Sequence, residues 1–246
     1  MVADGEGKAR EEARRGRLLA RPVAHAQATE PAAGPPGQPP PGPRELGLDG
    51  ARDGLLYVPA GYRDDRPAPL VLMLHGAGGV AHHGLNPLLA HADEAGLILL
   101  APDSRGPTWD VIRRGYGPDI AYIDRALAQT FARYAVDRTH VAIEGFSDGA
   151  SYALSVGLTN GGLFTHVIAF SPGFMVPADH RGKPRVFISH GLHDEVLPID
   201  HCSRRIAPQL ERAGYDLTYR EFDGPHTVPP TIAQDALTWF QGAFTP

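Results

Sequence analysis

The 246-residue chain has a single cysteine, Cys202, so no disulfide can close within it and no cysteine cluster can build a structural zinc site. It has no run of about 18 apolar residues, the length that crosses a bilayer as a helix, which excludes a membrane span. Positive charge is not in excess: 23 Lys and Arg stand against 28 Asp and Glu, and a net charge of −5 with a pI near 6.2 gives no footprint for nucleic acid. Walker and dinucleotide-binding glycine patterns are missing as well. The glycine-rich stretch His75–Gly79 lacks the G-x-G-x-x-G order, so no nucleotide or other cofactor is expected. His82, His83 and His91 are close in sequence, but a solvated loop accounts for them and no metal is predicted. What remains is a chain that is 42% hydrophobic, enough for one good core.

Within that chain the most informative stretch is Gly145-Phe146-Ser147-Asp148-Gly149, a G-x-S-x-G sequence. With 29 glycines in the chain the pentapeptide alone carries little, so its surroundings must carry the case. Upstream, Thr139–Glu144 is β-branched and apolar, the composition of a buried strand. Downstream, Asp148–Leu158 is rich in small residues that let a helix pack closely on a sheet, and Asn160-Gly161-Gly162 ends it. Strand, sharp turn and helix in that order would expose the Ser147 hydroxyl at the carboxyl edge of a parallel sheet, making it a candidate nucleophile.

A serine hydroxyl is a poor nucleophile near neutral pH and needs a base, and in this chain order an acid and a histidine should follow it. Arg185–Gly191 reads as a further strand and leads into Leu192-His193-Asp194-Glu195, which places Asp194 just past a strand end as the acid. Leu217–Phe222 alternates like a strand and leads to Asp223-Gly224-Pro225-His226, which makes His226 the base. His193 shares a short loop with the acid, which would leave that acid little freedom to orient it. Glu195 points differently from Asp194. An oxyanion also needs donors. One comes from the Asp148 N–H after the nucleophile, and the other from His75-Gly76-Ala77-Gly78-Gly79 after the apolar strand Pro69–Leu74, with Ala77 favoured and Gly78 second.

Together these pieces resemble the α/β-hydrolase superfamily, specifically its small phospholipase/carboxylesterase-like members and the related polyhydroxybutyrate-depolymerase-like and feruloyl-esterase-like proteins. The resemblance covers Leu55 to Phe244 and is carried by H-G-A-G-G, G-F-S-D-G, H-G-L-H-D-E-V-L-P and the late G-P-H. It implies a Ser147–Asp194–His226 triad with Ala77 and Asp148 as oxyanion donors. The activity it implies is carboxylic-ester hydrolysis through an acyl-enzyme, on small-molecule short-chain or aromatic esters or on a polymeric ester. Many carboxylesterase-like relatives carry glutamine after the nucleophile, where this chain has Asp148. The backbone donor survives that change, and the carboxylate disfavours anionic substrates. Rival readings are a peptidase or perhydrolase on the same site, or a catalytically silent binding protein. The last predicts Ser147 and His226 beyond hydrogen-bond reach.

The expected architecture is α/β, a mostly parallel doubly wound sheet. Further strands are read at Leu97–Pro102 and Phe164–Phe170, and helices at Gly84–Ala95 and Gly117–Ala135. Ile120, Ile123, Leu127, Phe131 and Tyr134 form a core stripe at helical spacing. Only Ser171–Pro184 separates the strand after the nucleophile helix from the next, so no large lid is expected. Trp109 reads equally as a wall of the acyl pocket or as packing under its own loop, and Phe174 and Met175 are further substrate-binding candidates. Residues 1–43 are read as a disordered tail, Arg-rich and then Pro-rich, and 44–246 as the catalytic domain. Arg14-Arg15 and Ala24-His25-Ala26 make a poor export signal without an apolar centre, so a cytoplasmic location is the expectation.

Overall fold

The computed structural model describes residues 2–23, 42–113 and 115–242. Among these residues eight strands form one sheet in the order β1-β2-β4-β3-β5-β6-β7-β8. They are β1 (Arg44–Glu45), β2 (Gly54–Tyr57), β3 (Ala68–Leu74), β4 (Ile98–Pro102), β5 (Val136–Phe146), β6 (His166–Phe170), β7 (Arg185–Gly191) and β8 (Leu217–Phe222). β1 and β2 are antiparallel additions at one edge, and β3 to β8 run parallel. β3, β4, β6 and β7 are buried almost throughout, which is why they read as continuous apolar runs and not as alternating ones.

Helices cover both faces, as the doubly wound reading requires. On one face α5 (Pro118–Arg133), α6 (Asp148–Thr159) and α7 (Ser203–Arg212) pack against Leu70, Leu72, Ile143 and Ile188, with the short α4 (Asp110–Arg113) beside α6. The opposite face carries α2 (Ala81–Leu85), α3 (Ala92–Ala95) and α8 (Pro230–Phe240) over Val71, Leu99, Ile168 and Phe187. The predicted stripe on α5 is buried, Tyr134 included, although the helix closes at Arg133. Gly84–Ala95 is not one helix. It is broken between α2 and α3, because Pro87 has no N–H for a continuous ladder.

Among the described residues there is no large lid. Residues 171–184 form a short connection hung on α6 by three hydroxyls at helical spacing. Ser151, Ser155 and Thr159 each donate to the carbonyl four residues back and accept from Gly173, Val176 and Ala178 N–H at 2.9, 2.9 and 3.1 Å. Residues read from sequence only as small packers therefore fasten the segment that would otherwise be free to form a cap.

The amino-terminal expectation needs correction. Val2–Arg14 is a helix, α1, and the chain after it packs on the domain. Leu18 is buried and its N–H donates to Asn160 Oδ1 at 2.9 Å, while Asn160 Nδ2 donates to the Gly16 carbonyl at 2.8 Å. Leu19 and Ala20 N–H both reach Asp124 Oδ1, and Arg17 meets Glu12 and Asp179. Charge there is paired with the domain, which composition alone cannot reveal. The Ala24-His25-Ala26 stretch, and the proline-rich run as far as residue 41, lie outside the described residues. Asn160→Ala is expected to lower the unfolding free energy by about 3 kcal/mol, since it removes a buried side chain serving two distant backbone groups. Urea titration measures this, and a loss under about 0.5 kcal/mol would show that the segment contributes nothing.

Candidate active site

β5 runs straight into the turn at Ser147, whose N–H donates to the Phe170 carbonyl at 2.9 Å and so ties the carboxyl ends of β5 and β6 together. Ser147 has φ 57° and ψ −120°, a left-handed conformation for a residue with a side chain, a strain on the order of 1–3 kcal/mol. The flanking glycines are sterically required. A Cβ at Gly145 would lie 2.2 Å from the Gly149 carbonyl oxygen, and one at Gly149 would lie 2.2 Å from that of Leu74. Only a chain without side chains at both positions can bring the hydroxyl to the head of α6.

Three predicted residues converge there. Ser147 Oγ–H donates to His226 Nε2 at 2.9 Å, and His226 Nδ1–H donates to Asp194 Oδ2 at 2.5 Å. The separation expected of a silent binding protein is not present. The Asp194 side chain is 0% exposed and the His226 ring 14%, so the acid is dry while the base can still be reached. Leu192 N–H to the Phe222 carbonyl and His193 N–H to that of Gly224, at 2.9 and 3.0 Å, clamp the acid and base loops to each other. His193 itself turns outward to Asp223, at 2.8 Å.

Asp194 is surrounded by donors. Oδ1 accepts Val196 and Leu197 N–H at 2.9 and 2.7 Å, and Oδ2 lies 3.2 Å from His190 Nε2 as well as beside His226. Burial pushes this carboxyl up, but the Leu197 N–H and the two imidazoles outweigh it and hold its pKa below the usual carboxylate range. Sequence reasoning missed His190. It is fully buried, donates from Nε2 to the Leu197 carbonyl at 2.7 Å and accepts the Ser203 hydroxyl at Nδ1, with burial pushing its pKa down. Its place four residues before the acid, at the end of a buried strand, was the available signal.

On the other side of Ser147 the 75–79 loop is built around His75. Buried and with its pKa pushed down by that burial, His75 donates from Nδ1 to the Gly76 carbonyl at 2.7 Å and accepts Ser104 N–H at Nε2 at 3.0 Å. Gly78, the second-choice donor, has its N–H committed to the Pro107 carbonyl at 2.7 Å, and Gly79 N–H is taken by Gly76. The Ala77 and Asp148 N–H groups meet no protein acceptor among the described residues. Of the two readings of Trp109, packing wins. The side chain is 0% exposed between the rings of His75 and Tyr152, and its Nε1–H donates to the His75 carbonyl at 2.8 Å, so it cannot wall a substrate pocket. Met175 is half-buried against the core, whereas Phe174 is half-buried on the 171–184 segment. Among the described residues no three His, Cys, Asp or Glu side chains cluster as metal ligands, and His83 Nδ1 instead accepts Val80 N–H.

Comparison with known proteins decides the family. The phospholipase/carboxylesterase profile matches residues 119–241, half of the chain, and spans α5, the elbow, the acid loop and the base loop. The chain belongs to the phospholipase/carboxylesterase family. As a member of that family it is 28% identical over 158 residues to feruloyl esterase C of Emericella nidulans, covering 61% of this chain and 57% of that one. Probable feruloyl esterase C of Aspergillus niger is 27% identical over 157 residues, with the same coverage. The match thus spans little more than half the length of these relatives. Among solved structures, esterase PE8 superposes with a TM-score of 0.64 at 24% identity, over 78% of this chain and 98% of that one. The ferulic acid esterase of Anaeromyces mucronatus in complex with ferulic acid gives 0.56 at 20%, over 74% and 81%. These two likenesses bear on the fold, which is that of the α/β-hydrolase esterases.

Proposed function

We propose that the chain is a serine carboxylic-ester hydrolase that works through an acyl-enzyme on short-chain or aromatic esters. The observation that carries this is the continuous Ser147–His226–Asp194 hydrogen-bond relay, with distances of 2.9 and 2.5 Å, at the head of a strained elbow. In this reading His226 Nε2 takes the Ser147 proton as Oγ attacks the ester carbonyl. Asp194 keeps the imidazole in the tautomer that leaves Nε2 free, and stabilises the imidazolium that forms. The oxyanion is received by Ala77 and Asp148 N–H, the latter at the positive end of α6. His226 then protonates the departing alcohol, and water repeats the sequence to release the acid.

The short, pinned 171–184 segment supports an open site, suited to esters whose alcohol part is large. The names of the fungal relatives favour a hydroxycinnamoyl group on the acyl side. Hydrolysis of p-nitrophenyl acetate, butyrate and octanoate and of methyl ferulate by wild type and Ser147→Ala tests the reading. Wild type is expected to cleave the short and aromatic esters, and Ser147→Ala to lose about 10⁴-fold or more in kcat while staying folded. Equal rates in the two proteins would overturn it.

A further inference from the structure

The residue after the nucleophile presents a contradiction. A carboxylate beside an N–H that receives an oxyanion works against the charge developing there, so the Asp148 side chain must contribute in some other way. Its Oδ2 accepts the Thr108 hydroxyl at 2.6 Å. Thr108 is the middle of three consecutive residues that each grip one element of the site. The Pro107 carbonyl accepts Gly78 N–H at 2.7 Å, and Trp109 Nε1–H donates to the His75 carbonyl at 2.8 Å. The tripeptide therefore holds the 75–79 loop from one side and the elbow from the other.

Its own frame is fixed. Both ends of the loop are bound by one buried carboxylate, Asp119, which accepts the N–H groups of Arg105 and Asp110; burial pushes its pKa up to about 6. The ring of Trp109 is stacked on Tyr152 and lies tilted against His75, and Ser104 N–H binds the His75 ring. Such a loop is a rigid reference, and Ala77 N–H and Asp148 N–H are each one residue or less from a group bonded to it.

The geometry points to Thr108 as a positioning residue that, through the Asp148 carboxylate, sets the separation and aim of the two oxyanion N–H groups. This rests on the ester-hydrolase reading of the site. Thr108 touches no reacting atom. It acts by locking the elbow to the 75–79 loop, so that the two donors converge on one oxygen. Without the hydroxyl the elbow remains, but its relation to Ala77 is no longer fixed by this bond, and a donor misplaced by a fraction of an ångström stabilises the transition state less.

The test measures kcat and KM on p-nitrophenyl butyrate, and the affinity of a trifluoromethyl ketone whose serine adduct carries the oxyanion, in wild type, Ser147→Ala, Thr108→Val and Thr108→Ser. Thr108→Val is expected to lower kcat and ketone affinity together by about tenfold with KM unchanged, and Thr108→Ser to restore both. Should Thr108→Val not fold, Thr108→Ala removes the same hydroxyl and is read in the same way. A wild type inactivated by Ser147→Ala whose kcat survives loss of the Thr108 hydroxyl overturns the positioning role alone. A fall that serine does not restore overturns it equally. Equal activity in wild type and Ser147→Ala, or an inactive wild type, overturns the ester-hydrolase reading and this role with it.

Discussion

Asp194→Asn is expected to lower kcat on a p-nitrophenyl ester by about 10⁴-fold at neutral pH, with KM and thermal midpoint little changed. The cause is local hydrogen-bond direction, more than lost charge. In wild type Oδ1 is fixed by Val196 and Leu197 N–H, at 2.9 and 2.7 Å, and Oδ2 faces His226. An asparagine must present an acceptor to those two N–H groups, so its oxygen takes the Oδ1 place and its NH₂ turns toward His226 Nδ1. The imidazole then accepts at Nδ1 and carries its proton on Nε2, where it can no longer accept from Ser147 Oγ. His190 opposes this placement, since its Nε2–H, 3.2 Å from Oδ2 in wild type, would meet a donor in place of an acceptor, but that one longer contact is outweighed by the two backbone N–H groups on Oδ1. Steady-state kinetics with parallel calorimetry decide it. A variant within tenfold of wild-type kcat would mean that the acid neither sets the tautomer nor carries the imidazolium charge.

The elements around this relay could be read from sequence because each rests on a local rule. Gly145 is demanded by the carbonyl of Gly149 four residues on, and Gly149 is marked by the pentapeptide pattern although the carbonyl it must clear is that of Leu74. The acid and the base follow short apolar strands, and sharing a short loop with the acid sets His193 aside. What the sequence concealed depends on distant partners. Residues 17–20 read as solvated because their partners Asp124, Asn160 and Asp179 are more than a hundred positions away. Trp109 stayed undecided until the carbonyl of His75, 34 residues earlier, took its indole N–H. Ser151, Ser155 and Thr159 are small enough for a packing face, and nothing in their spacing tells that their hydroxyls also hold the 171–184 segment. The oxyanion loop lies between these cases: its glycines marked the turn, but only the Pro107 carbonyl removes Gly78 from the two candidate donors.

The same distinction applies to Glu144, three residues before the nucleophile. In sequence it closes the run Thr139–Glu144; in the fold β5 is flanked by β3 and β6, and Glu144 pairs in register with Met73 and Ile168. It is 0% exposed, and neither carboxyl oxygen has a hydrogen-bond partner among the described residues. Burial pushes its pKa well above the ordinary 4.5, so the folded state keeps the proton. The unfolded chain releases it above about pH 4.5. Proton binding to the folded state alone makes stability fall as pH rises, by up to about 1.4 kcal/mol for each unit between the unfolded and folded pKa values. Glu144→Met, an apolar side chain of similar length, is therefore expected to stabilise the protein by about 1–3 kcal/mol near neutral pH. The gain should widen from pH 5 to pH 8, because only wild type carries the proton linkage. Urea unfolding of both proteins at the two pH values measures the difference. An equal gain at both would show that the buried carboxyl is not held protonated, and a destabilised variant would show that it has a partner in solution after all. If the gain widens, the elbow rests on a strand that loosens in alkali, and ester hydrolysis by wild type should become heat-labile at high pH sooner than hydrolysis by the methionine variant.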